Sequence, residues 1–253
     1  PDCIHIATEG PLGWQVRAIC RQRSWPFTTA YHSRFPEYVH ARIRLPVGWS
    51  YAVLRRFHNA GAATLAPTPA IVAELQARGF TQARLWSRGV DLAMFTPEGE
   101  RLPRGEAPVF LHVGRLAVEK NIEAFLRLDL PGEKWVAGDG PERARLERQY
   151  PGVRWFGVLD GPTLAKLYRS ADVVAFPSLT DTFGLVMAEA MACGTPVAAF
   201  PVPGPIDVVG SSAGGVLDTD LRSACLKALS LDRAAVRAHA LQYSWRAATE
   251  QFE

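Results

Sequence analysis

The chain has 253 residues, of which 48% are hydrophobic and 21% are charged, and its formal net charge is +3. This composition is typical of a globular protein and excludes an intrinsically disordered chain. No apolar run reaches the roughly 18 residues that a membrane-spanning helix needs, so none is predicted.

Short apolar strands alternate with amphipathic segments of helical length in the first part of the chain. The predicted strands are residues 2–7, 27–31, 63–67 and 83–87, and the predicted helices are 12–23, 51–60 and 69–78. This alternation is typical of βαβ units and therefore of a mostly parallel sheet. Residues 1–97 hold too few strands for a complete domain of this type. We therefore expect an incomplete first domain, with the chain starting inside a longer sequence.

Residues 95–108 contain three Pro and two Gly, which predicts a linker over 98–108. The alternation then resumes. Strands are predicted at 109–113, 134–137, 153–157, 173–177 and 196–200, and helices at 122–129, 141–149, 162–170, 183–193 and 220–229. We expect a complete second domain over 109–238, followed by a C-terminal helix in 239–253 that returns to the first domain. The expected fold class is α/β, with two doubly wound Rossmann-like domains and a ligand-binding cleft between them.

The four cysteines, Cys3, Cys20, Cys193 and Cys225, are far apart and form no C-x-x-C pair. This spacing does not favour a metal site or a disulfide framework. It favours small residues in a core and a protein of the reducing cytoplasm.

The basic residues are concentrated in the first part of the chain. Residues 1–97 hold eleven Arg and five acids, a net charge of +6, whereas the remainder carries −3. Such a surface suits phosphates, anionic lipid headgroups or nucleic acid, or it is simply a solvated face. Two clusters mix with apolar residues and predict a peripheral contact with an anionic membrane. They are Arg17, Arg21 and Arg23 on a predicted helix, and Arg42 and Arg44 in a predicted loop with Val39, Ile43, Leu45 and Trp49. Nucleic acid binding is not expected, because no recognition helix or aromatic stacking stripe accompanies the charge.

Residues 177–196, P-S-L-T-D-T-F-G-L-V-M-A-E-A-M-A-C-G-T-P, are the most informative segment. A strand ends there and a predicted helix begins near Phe183, with amides at its N-terminus that favour an anion. Asp181 and Glu189 are eight residues apart, about 12 Å along a helix. Two carboxylates so placed could accept hydrogen bonds from the two ends of an elongated, hydroxyl-bearing ligand. The alternative is that Asp181 is a helix N-cap and Glu189 a salt-bridged surface acid.

The D-x7-E pattern from Asp181 to Glu189 resembles the E-x7-E motif of retaining glycosyltransferases of family 4, which have the GT-B fold. Residues 113–121 (V-G-R-L-A-V-E-K-N), 138–141, 171–178 and 89–97 are similar to further motifs of that family. Residues 31–38 (Y-H-S-R-F-P-E-Y) and 8–13 (T-E-G-P-L-G) are most similar to bacterial GDP-mannose-dependent α-mannosyltransferases. Two features depart from the family pattern: Asp181 replaces a Glu, and the N-terminal Gly-rich loop has no counterpart.

The resemblance implies a role for each matching residue. Arg115 and Lys120 would hold the donor diphosphate, Glu189 the ribose hydroxyls, and Asp181 a hydroxyl of the transferred sugar. His32 would line the reaction centre. The other implied donor contacts are Gly114 and Gly138 in their turns, the amides of Phe183, Gly184 and Leu185, and Val158 and Leu159 below the nucleobase. Arg34 and Arg88 could reach the donor or the acceptor.

The implied activity is transfer of a hexose, with mannose from GDP-mannose as the leading choice, to a lipid or glycan hydroxyl with retention of configuration. The resemblance implies no cofactor and no metal. It implies a location in the cytoplasm or at the inner face of the membrane. UDP-glucose is the alternative donor. A non-catalytic nucleotide-sugar or lipid-binding module is a second alternative, since a chain without the start of its first domain could bind donor without completing catalysis. A sugar-nucleotide epimerase is a third, which the R-x4-K and D-x7-E pairs disfavour.

Overall fold

The computed structural model describes residues 2–210 and 213–252, apart from the side chains of residues 40–43. The chain divides into two compact units. The first runs up to Ser87 and also takes in the last residues from Gln251 onward, and the second is Arg88–Glu250.

The first unit contains a four-stranded parallel sheet. Its strands are β1 (His5–Ile6), β2 (Thr28–Ala30), β3 (Ala63–Ala66) and β4 (Ala83–Leu85). Its helices are α1 (Pro11–Gln22), α2 (Phe35–Ile43), α3 (Val47–His58) and α4 (Pro69–Ala77). The strand order is β1-β2-β3-β4, so every connection advances in one direction. That progression corresponds to one half of a doubly wound sheet.

The structure corrects the predicted loop around Arg42. Val39, Arg42 and Ile43 belong to helix α2, and Trp49 belongs to α3. Pro36 at the second position and Glu37 in the first turn favour the start of α2. Arg44, with φ +59°, lies between the two helices, followed by Leu45 and Pro46.

Arg17 does not belong to the predicted membrane-contacting cluster with Arg21 and Arg23. Its side chain is 6% exposed and donates from Nε to the Phe57 carbonyl (3.1 Å) and from Nη2 to the Arg56 carbonyl (2.8 Å). Both carbonyls lie in the last turn of α3, where unpaired carbonyls and the helix dipole favour a cation. Arg17 therefore joins α1 to the C-terminal end of α3.

We expect Arg17→Ala to lower the free energy of unfolding by about 1.5–3 kcal/mol, because one buried and one partly buried hydrogen bond from a charged group are lost. Urea-induced unfolding measures this. Arg21→Ala is the control, since Arg21 is exposed on the same helix and its removal should change stability by less than about 0.5 kcal/mol. Equal effects of the two substitutions would show that the contact of Arg17 with α3 is not stabilising.

The second unit contains a six-stranded parallel sheet. Its strands are β5 (Val109–Val113), β6 (Glu133–Ala137), β7 (Arg154–Gly157), β8 (Val173–Phe176), β9 (Val197–Ala199) and β10 (Gly215–Leu217). Its helices are α5 (Ile122–Leu126), α6 (Arg143–Gln149), α7 (Gly161–Ser170), α8 (Leu185–Ala192), α9 (Pro205–Val209), α10 (Leu221–Ala228), α11 (Arg233–Ala240) and α12 (Trp245–Glu250). The strand order is β10-β9-β8-β5-β6-β7, the doubly wound Rossmann order. The order reverses between β5 and β8.

The strands of this sheet are apolar throughout because both faces are covered. Successive residues of a strand point to opposite faces. Leu111 and Val174 lie in the core with α7, α8 and α11, whereas Phe110 and Val173 lie in the core with α5, α6 and α10. The near-continuous apolar sequence of β5 and β8 is typical of such a sheet.

The boundary between the units lies ten residues earlier than the predicted end of the first domain at residue 97. Val90 pairs with Ser244, and Phe95 packs edge-on against Tyr168 at a centroid distance of 5.9 Å. Arg237 donates to the carbonyls of Leu92 (3.1 Å) and Phe95 (2.8 Å). These contacts attach residues 88–97 to the second unit.

Candidate active site

The candidate site lies at the carboxyl edge of the second unit's sheet, where β5 and β8 are neighbours. In doubly wound sheets, ligands bind outside the carboxyl ends of the strands where the order reverses. Four successive neighbours, β8, β5, β6 and β7, place their following loops at this edge. These loops begin at Pro177, Gly114, Gly138 and Val158 respectively. The topology thus brings together four motifs that are far apart in sequence.

The turns after β5 and β6 are in direct contact. Gly138, with φ +128°, donates to the Gly157 carbonyl (2.7 Å), and Gly114 donates to the Ala137 carbonyl (3.0 Å). A Cβ on Gly138 would lie 1.9 Å from the Gly114 carbonyl oxygen. Only glycine permits this approach, because any side chain would separate the two turns.

Lys120 and Asp181 form an ion pair across the β5 and β8 loops. Lys120 Nζ lies 2.6 Å from Asp181 Oδ1, and the two side chains are 24% and 15% exposed. The second carboxylate oxygen, Asp181 Oδ2, is buried and has no hydrogen-bond partner within the described chain. A buried carboxylate oxygen without a partner is uncommon and marks a place where a donor group can bind.

The β5 and β8 loops are joined by two further hydrogen bonds. Thr180 Oγ1 donates to the Glu119 carbonyl (3.2 Å), and Asn121 Nδ2 donates to the Pro177 carbonyl (3.1 Å). Asn121 adopts the left-handed conformation, with φ +53°, between the 3₁₀ turn Val118–Lys120 and α5. These bonds fix the backbone on both sides of the Lys120–Asp181 pair.

Arg115 is exposed at the start of the loop after β5. Within the described residues its guanidinium has no hydrogen bond or ion pair, in contrast to Lys120. Two cations therefore lie five residues apart on one loop, one of them held by Asp181 and the other able to bind an anion without losing a partner.

His112 is a buried polar group below this loop. It is 2% exposed, and its Nδ1 lies 3.2 Å from the Ala175 carbonyl, so Nδ1 carries the proton. Its Nε2 has no partner in the described chain, and burial lowers the pKa of His112 to about 4. The imidazole is therefore neutral near pH 7 and adds no charge beside Lys120.

Helix α8 begins at Leu185, two residues later than predicted. Its N-cap is Gly184, with φ +80°, and a Cβ there would lie 2.9 Å from Phe176 Cζ. Gly184 is thus required by its conformation and packing, not by ligand approach alone. Phe183 is buried against Tyr243 (centroid distance 5.6 Å), whereas the Leu185 side chain is 42% exposed. Asp181 makes no capping bond to α8, so the N-cap alternative is wrong.

Glu189 lies in the second turn of α8, so only part of the spacing from Asp181 is helical. Tyr168 on α7 donates its hydroxyl to Glu189 Oε2 (2.9 Å). Burial raises the pKa of the Glu189 carboxyl, and it also raises the pKa of Tyr168 well above its usual range. Glu189 is therefore a half-buried carboxyl fixed by a buried tyrosine, not a salt-bridged surface acid.

The loop after β7 carries Val158 and Leu159. Val158 is 76% exposed, whereas Leu159 packs against the apolar core of the sheet. Asp160 accepts from the Thr163 amide (2.9 Å) and caps helix α7. The backbone of this short loop is thus fixed at both ends, by β7 and by the cap.

His32 belongs to the first unit, two residues after β2. Its ring lies 6.3 Å from that of Trp86. Arg34 forms an ion pair with Glu74, so it is engaged within its own unit. Arg88 is the first residue of the second unit, and burial lowers the pKa of its guanidinium.

Four residues beside the predicted site were missed from sequence: His112, Asn121, Tyr168 and Thr180. Asn121 lies inside the quoted motif V-G-R-L-A-V-E-K-N, so its place in that motif was an available signal. Tyr168 gave no signal, because a tyrosine in an amphipathic helix is usually a core residue. In the described part of the chain, no cluster of three His, Cys, Asp or Glu residues could hold a metal ion. No described helix is long and apolar enough to cross a membrane.

The geometry of the site suits the binding of a ligand that combines a diphosphate with hydroxyl groups. Two cations and the N-terminus of α8 can neutralise a diphosphate, and the fixed carboxylates of Asp181 and Glu189 can accept hydrogen bonds from hydroxyls. An ammonium has three donors, so Lys120 can keep its bond to Asp181 while it donates to phosphate.

The chain is similar to known glycosyltransferases. Residues 1–94 match the model of a family described as Glycosyltransferase Family 4, and residues 107–230 match that of Glycosyl transferases group 1. The sulfoquinovosyl transferase SQD2 of Arabidopsis thaliana is 34% identical over 98% of this chain and 55% of its own length. A GDP-mannose-dependent α-mannosyltransferase of Mycobacterium tuberculosis is 32% identical over 86% of this chain and 60% of its own length. The chain thus spans little more than half the length of these relatives.

Solved structures share the fold. Sucrose-phosphate synthase from Thermosynechococcus elongatus is 27% identical with a TM-score of 0.81, covering 99% of this chain and 72% of its own. The Anabaena protein HepE, solved with UDP and glucose, is 17% identical with a TM-score of 0.78, covering 98% of this chain and 76% of its own. The expected α/β class with two parallel sheets of the GT-B type is confirmed.

Proposed function

Because this chain belongs to the family 4 and group 1 glycosyltransferases, we propose that it transfers a hexosyl group from a nucleoside-diphosphate sugar to an acceptor hydroxyl with retention of configuration. One observation carries the proposal: Lys120 and Asp181 are paired where β5 and β8 meet, and Asp181 Oδ2 is buried without a partner in the described chain. This juxtaposition offers a cation for a diphosphate and an acceptor for a sugar hydroxyl at one point.

The diphosphate would bind between Lys120, Arg115 and the first amides of α8. As the bond between the sugar anomeric carbon and the phosphate oxygen breaks, negative charge develops on the leaving nucleoside diphosphate. Fixed cations stabilise that charge in the transition state. No metal ion is part of this proposal, because Lys120 and Arg115 supply the positive charge from the chain itself.

The sugar and the ribose would be bound by the two carboxylates. Asp181 Oδ2 would accept from a hydroxyl of the transferred hexose, and Glu189 from the ribose hydroxyls, with Val158 and Leu159 below the base. The acceptor oxygen would form its bond to the anomeric carbon on the face from which the diphosphate leaves. The departing diphosphate would take the acceptor's proton, which balances the reaction without an enzymatic nucleophile.

Two donors are supported by different relatives. Three curated relatives described as GDP-mannose-dependent α-mannosyltransferases are 31–32% identical over 86% of this chain, which favours GDP-mannose. The relative of 34% identity is described as a sulfoquinovosyl transferase, and the HepE structures contain UDP or UDP-glucose. A UDP-linked sugar is therefore the second candidate donor.

Product analysis tests the reaction. The chain, and a longer form that includes any preceding sequence, would be incubated with GDP-mannose or UDP-glucose and simple hydroxyl acceptors. We expect an α-glycoside from the α-linked donor by NMR of the anomeric proton. A β-glycoside would contradict retention, whereas donor binding with no product from either form would favour a non-catalytic binding module.

We further propose a peripheral location on the inner face of the membrane, with a lipid or a membrane-associated glycan as acceptor. Arg17 is excluded from the contact surface, since it is buried against α3. Apolar and basic side chains are exposed together on α2, α3 and the link between them, which suits an anionic interface. This apolar–basic surface consists of Phe35, Arg44, Leu45, Trp49, Val53 and Arg56.

We expect Val53→Ser to reduce binding to anionic phosphatidylglycerol vesicles by about tenfold, since burying this side chain is worth about 1.5 kcal/mol. Vesicle co-sedimentation measures it. Leu241→Ser in the second unit, where the side chain is also half exposed, is the matched control. Binding should fade between 0.1 M and 1 M salt, as the Debye length falls from about 10 Å to 3 Å. Absence of binding of the wild-type protein to these vesicles at low salt would contradict the membrane proposal.

A further inference from the structure

The carboxyl edge of the first unit's sheet carries a carboxylate that the proposed mechanism does not use. Glu9 follows β1 by three residues, and β1 pairs in parallel with β2, with Ile6 opposite Thr29. His32 follows β2 at the same edge. The carboxyl edge of a parallel sheet is where such folds bind ligands.

Glu9 is held by a buried histidine. His58, the last residue of α3, is 0% exposed, and its Nε2 lies 2.9 Å from Glu9 Oε1. Its other nitrogen, Nδ1, lies 2.8 Å from Thr29 Oγ1 on β2. Because a carboxylate can only accept, Nε2 carries the proton and donates it to Glu9. The ring is thus fixed at both nitrogens, and it fixes one oxygen of Glu9.

The other oxygen of Glu9 is open to solvent. The Glu9 side chain is 25% exposed, and no described residue donates to its Oε2. A surface carboxylate normally gains little from a buried partner, since exposed acids are solvated without one. Here a fully buried imidazole holds the carboxylate in one orientation, an arrangement typical of a group that must be positioned.

The other acids among residues 2–87 do not have this combination. Glu37 accepts from Tyr51 at Oε1 (2.9 Å), but its Oε2 is buried without a partner in the described chain and is not open to solvent. Glu74 is engaged by Arg34 and Arg78. Asp2 is exposed near the start of the chain. Glu9 alone in this range is anchored on one oxygen and open on the other at the carboxyl edge.

We propose that Glu9 binds a hydroxyl of the acceptor and that His58 is its positioning residue. Calling the bound molecule the acceptor rests on the proposed function. The binding of a hydroxyl at Glu9 does not depend on that function. A carboxylate accepts from hydroxyls and repels phosphate, so the group bound here is a neutral hydroxyl of a sugar or of a glycerol lipid.

The test uses the 253-residue chain with ¹³C-labelled glutamate carboxyls. The Glu9 resonance is assigned by its loss in Glu9→Gln. Methyl α-D-mannopyranoside represents a glycan acceptor, and phosphatidylcholine vesicles containing dioleoylglycerol represent a lipid acceptor. We expect one probe to shift the Glu9 resonance saturably, and Glu9→Gln to weaken that probe by about tenfold or more, because a charge-assisted bond becomes a neutral one.

Asp2→Asn is the matched control and should leave probe binding within about twofold of the wild type. His58→Gln keeps an amide donor and should lose less affinity than His58→Phe. If either His58 variant does not fold, Glu9→Gln still decides the question, because Glu9 is partly exposed. A Glu9 resonance that moves with neither probe, or equal weakening by Glu9→Gln and Asp2→Asn, would overturn the inference.

Nucleotide-sugar binding is measured on the same samples. Probe binding at Glu9 without binding of GDP-mannose or UDP-glucose would leave this inference standing and remove the proposed function. Donor binding with a silent Glu9 resonance would do the reverse.

Discussion

Lys120→Ala is expected to weaken binding of a nucleoside diphosphate by about 10- to 150-fold. A hydrogen bond from a charged group contributes about 1.5–3 kcal/mol. In this site the Lys120 ammonium would donate to the two phosphates, which carry most of the ligand's charge. The substitution also leaves the half-buried Asp181 carboxylate without its cation, which adds like-charge repulsion toward the diphosphate. Displacement of a fluorescent GDP or UDP analogue measures the change.

The matched control is Lys166→Ala. Lys166 lies on helix α7 of the same unit, away from the loops that follow β5 and β8, and it forms an ion pair with Glu100. Its removal should leave nucleotide affinity within about twofold. Arg115→Ala should also weaken binding, by a smaller factor, because Arg115 is exposed and its charge is more strongly solvated. Unchanged affinity in both the Lys120 and Arg115 variants would remove these residues from the diphosphate site.

The second large effect concerns the two carboxylates, because substitution of Glu189 and of Asp181 should affect different ligands. Glu189→Gln is expected to weaken GDP and GDP-mannose alike, by about 1.5–3 kcal/mol, because both ligands contain the ribose that Glu189 would bind. Asp181→Asn is expected to weaken only GDP-mannose. For GDP its effect should be neutral or favourable, since Lys120 no longer shares its ammonium with an ionised partner.

Calorimetric titration of the wild type and both variants with GDP and GDP-mannose, and in parallel with UDP and UDP-glucose, gives the affinities that this comparison needs. Far-UV circular dichroism would show that the variants are folded. Equal losses for both ligands in Asp181→Asn would contradict the assignment of Asp181 to the sugar. Loss of the sugar-bearing ligand alone in Glu189→Gln would contradict the assignment of Glu189 to the ribose.

Sequence reasoning succeeded where local patterns determine structure. Apolar β-branched runs located all five strands predicted for the second unit, and the alternation with helices indicated their parallel arrangement. The resemblance to family 4 indicated Arg115, Lys120 and Asp181, and the fold places all three in the loops that follow β5 and β8. In these cases the information lies within ten or so neighbouring residues.

Sequence reasoning failed where the partner of a side chain is a residue distant in sequence. The pairing of Lys120 with Asp181 joins positions 61 residues apart, and nothing local to either residue indicates it. Tyr168 supports Glu189 from a neighbouring helix. Arg17 was grouped with Arg21 and Arg23 in a cluster expected to contact a membrane, although the end of α3 buries it.

Short elements and boundaries were a second source of error. Helix α9 has five residues, and strand β10 has three, too few to give a periodic pattern. The Pro- and Gly-rich segment indicated a linker, but Val90, Leu92 and Phe95 attach the residues before it to the second unit. Composition alone does not show which side of a boundary a segment packs against.

The central claim is that the second unit binds a nucleoside-diphosphate sugar where β5 and β8 meet. Calorimetric titration of the wild-type chain with GDP-mannose and UDP-glucose, repeated on Lys120→Ala, tests it most directly. We predict one saturable site per chain for at least one of these donors, competed by its own nucleoside diphosphate and weakened at least about tenfold by the substitution. No binding of either donor by the wild-type chain, or equal affinity in the variant, would contradict the claim.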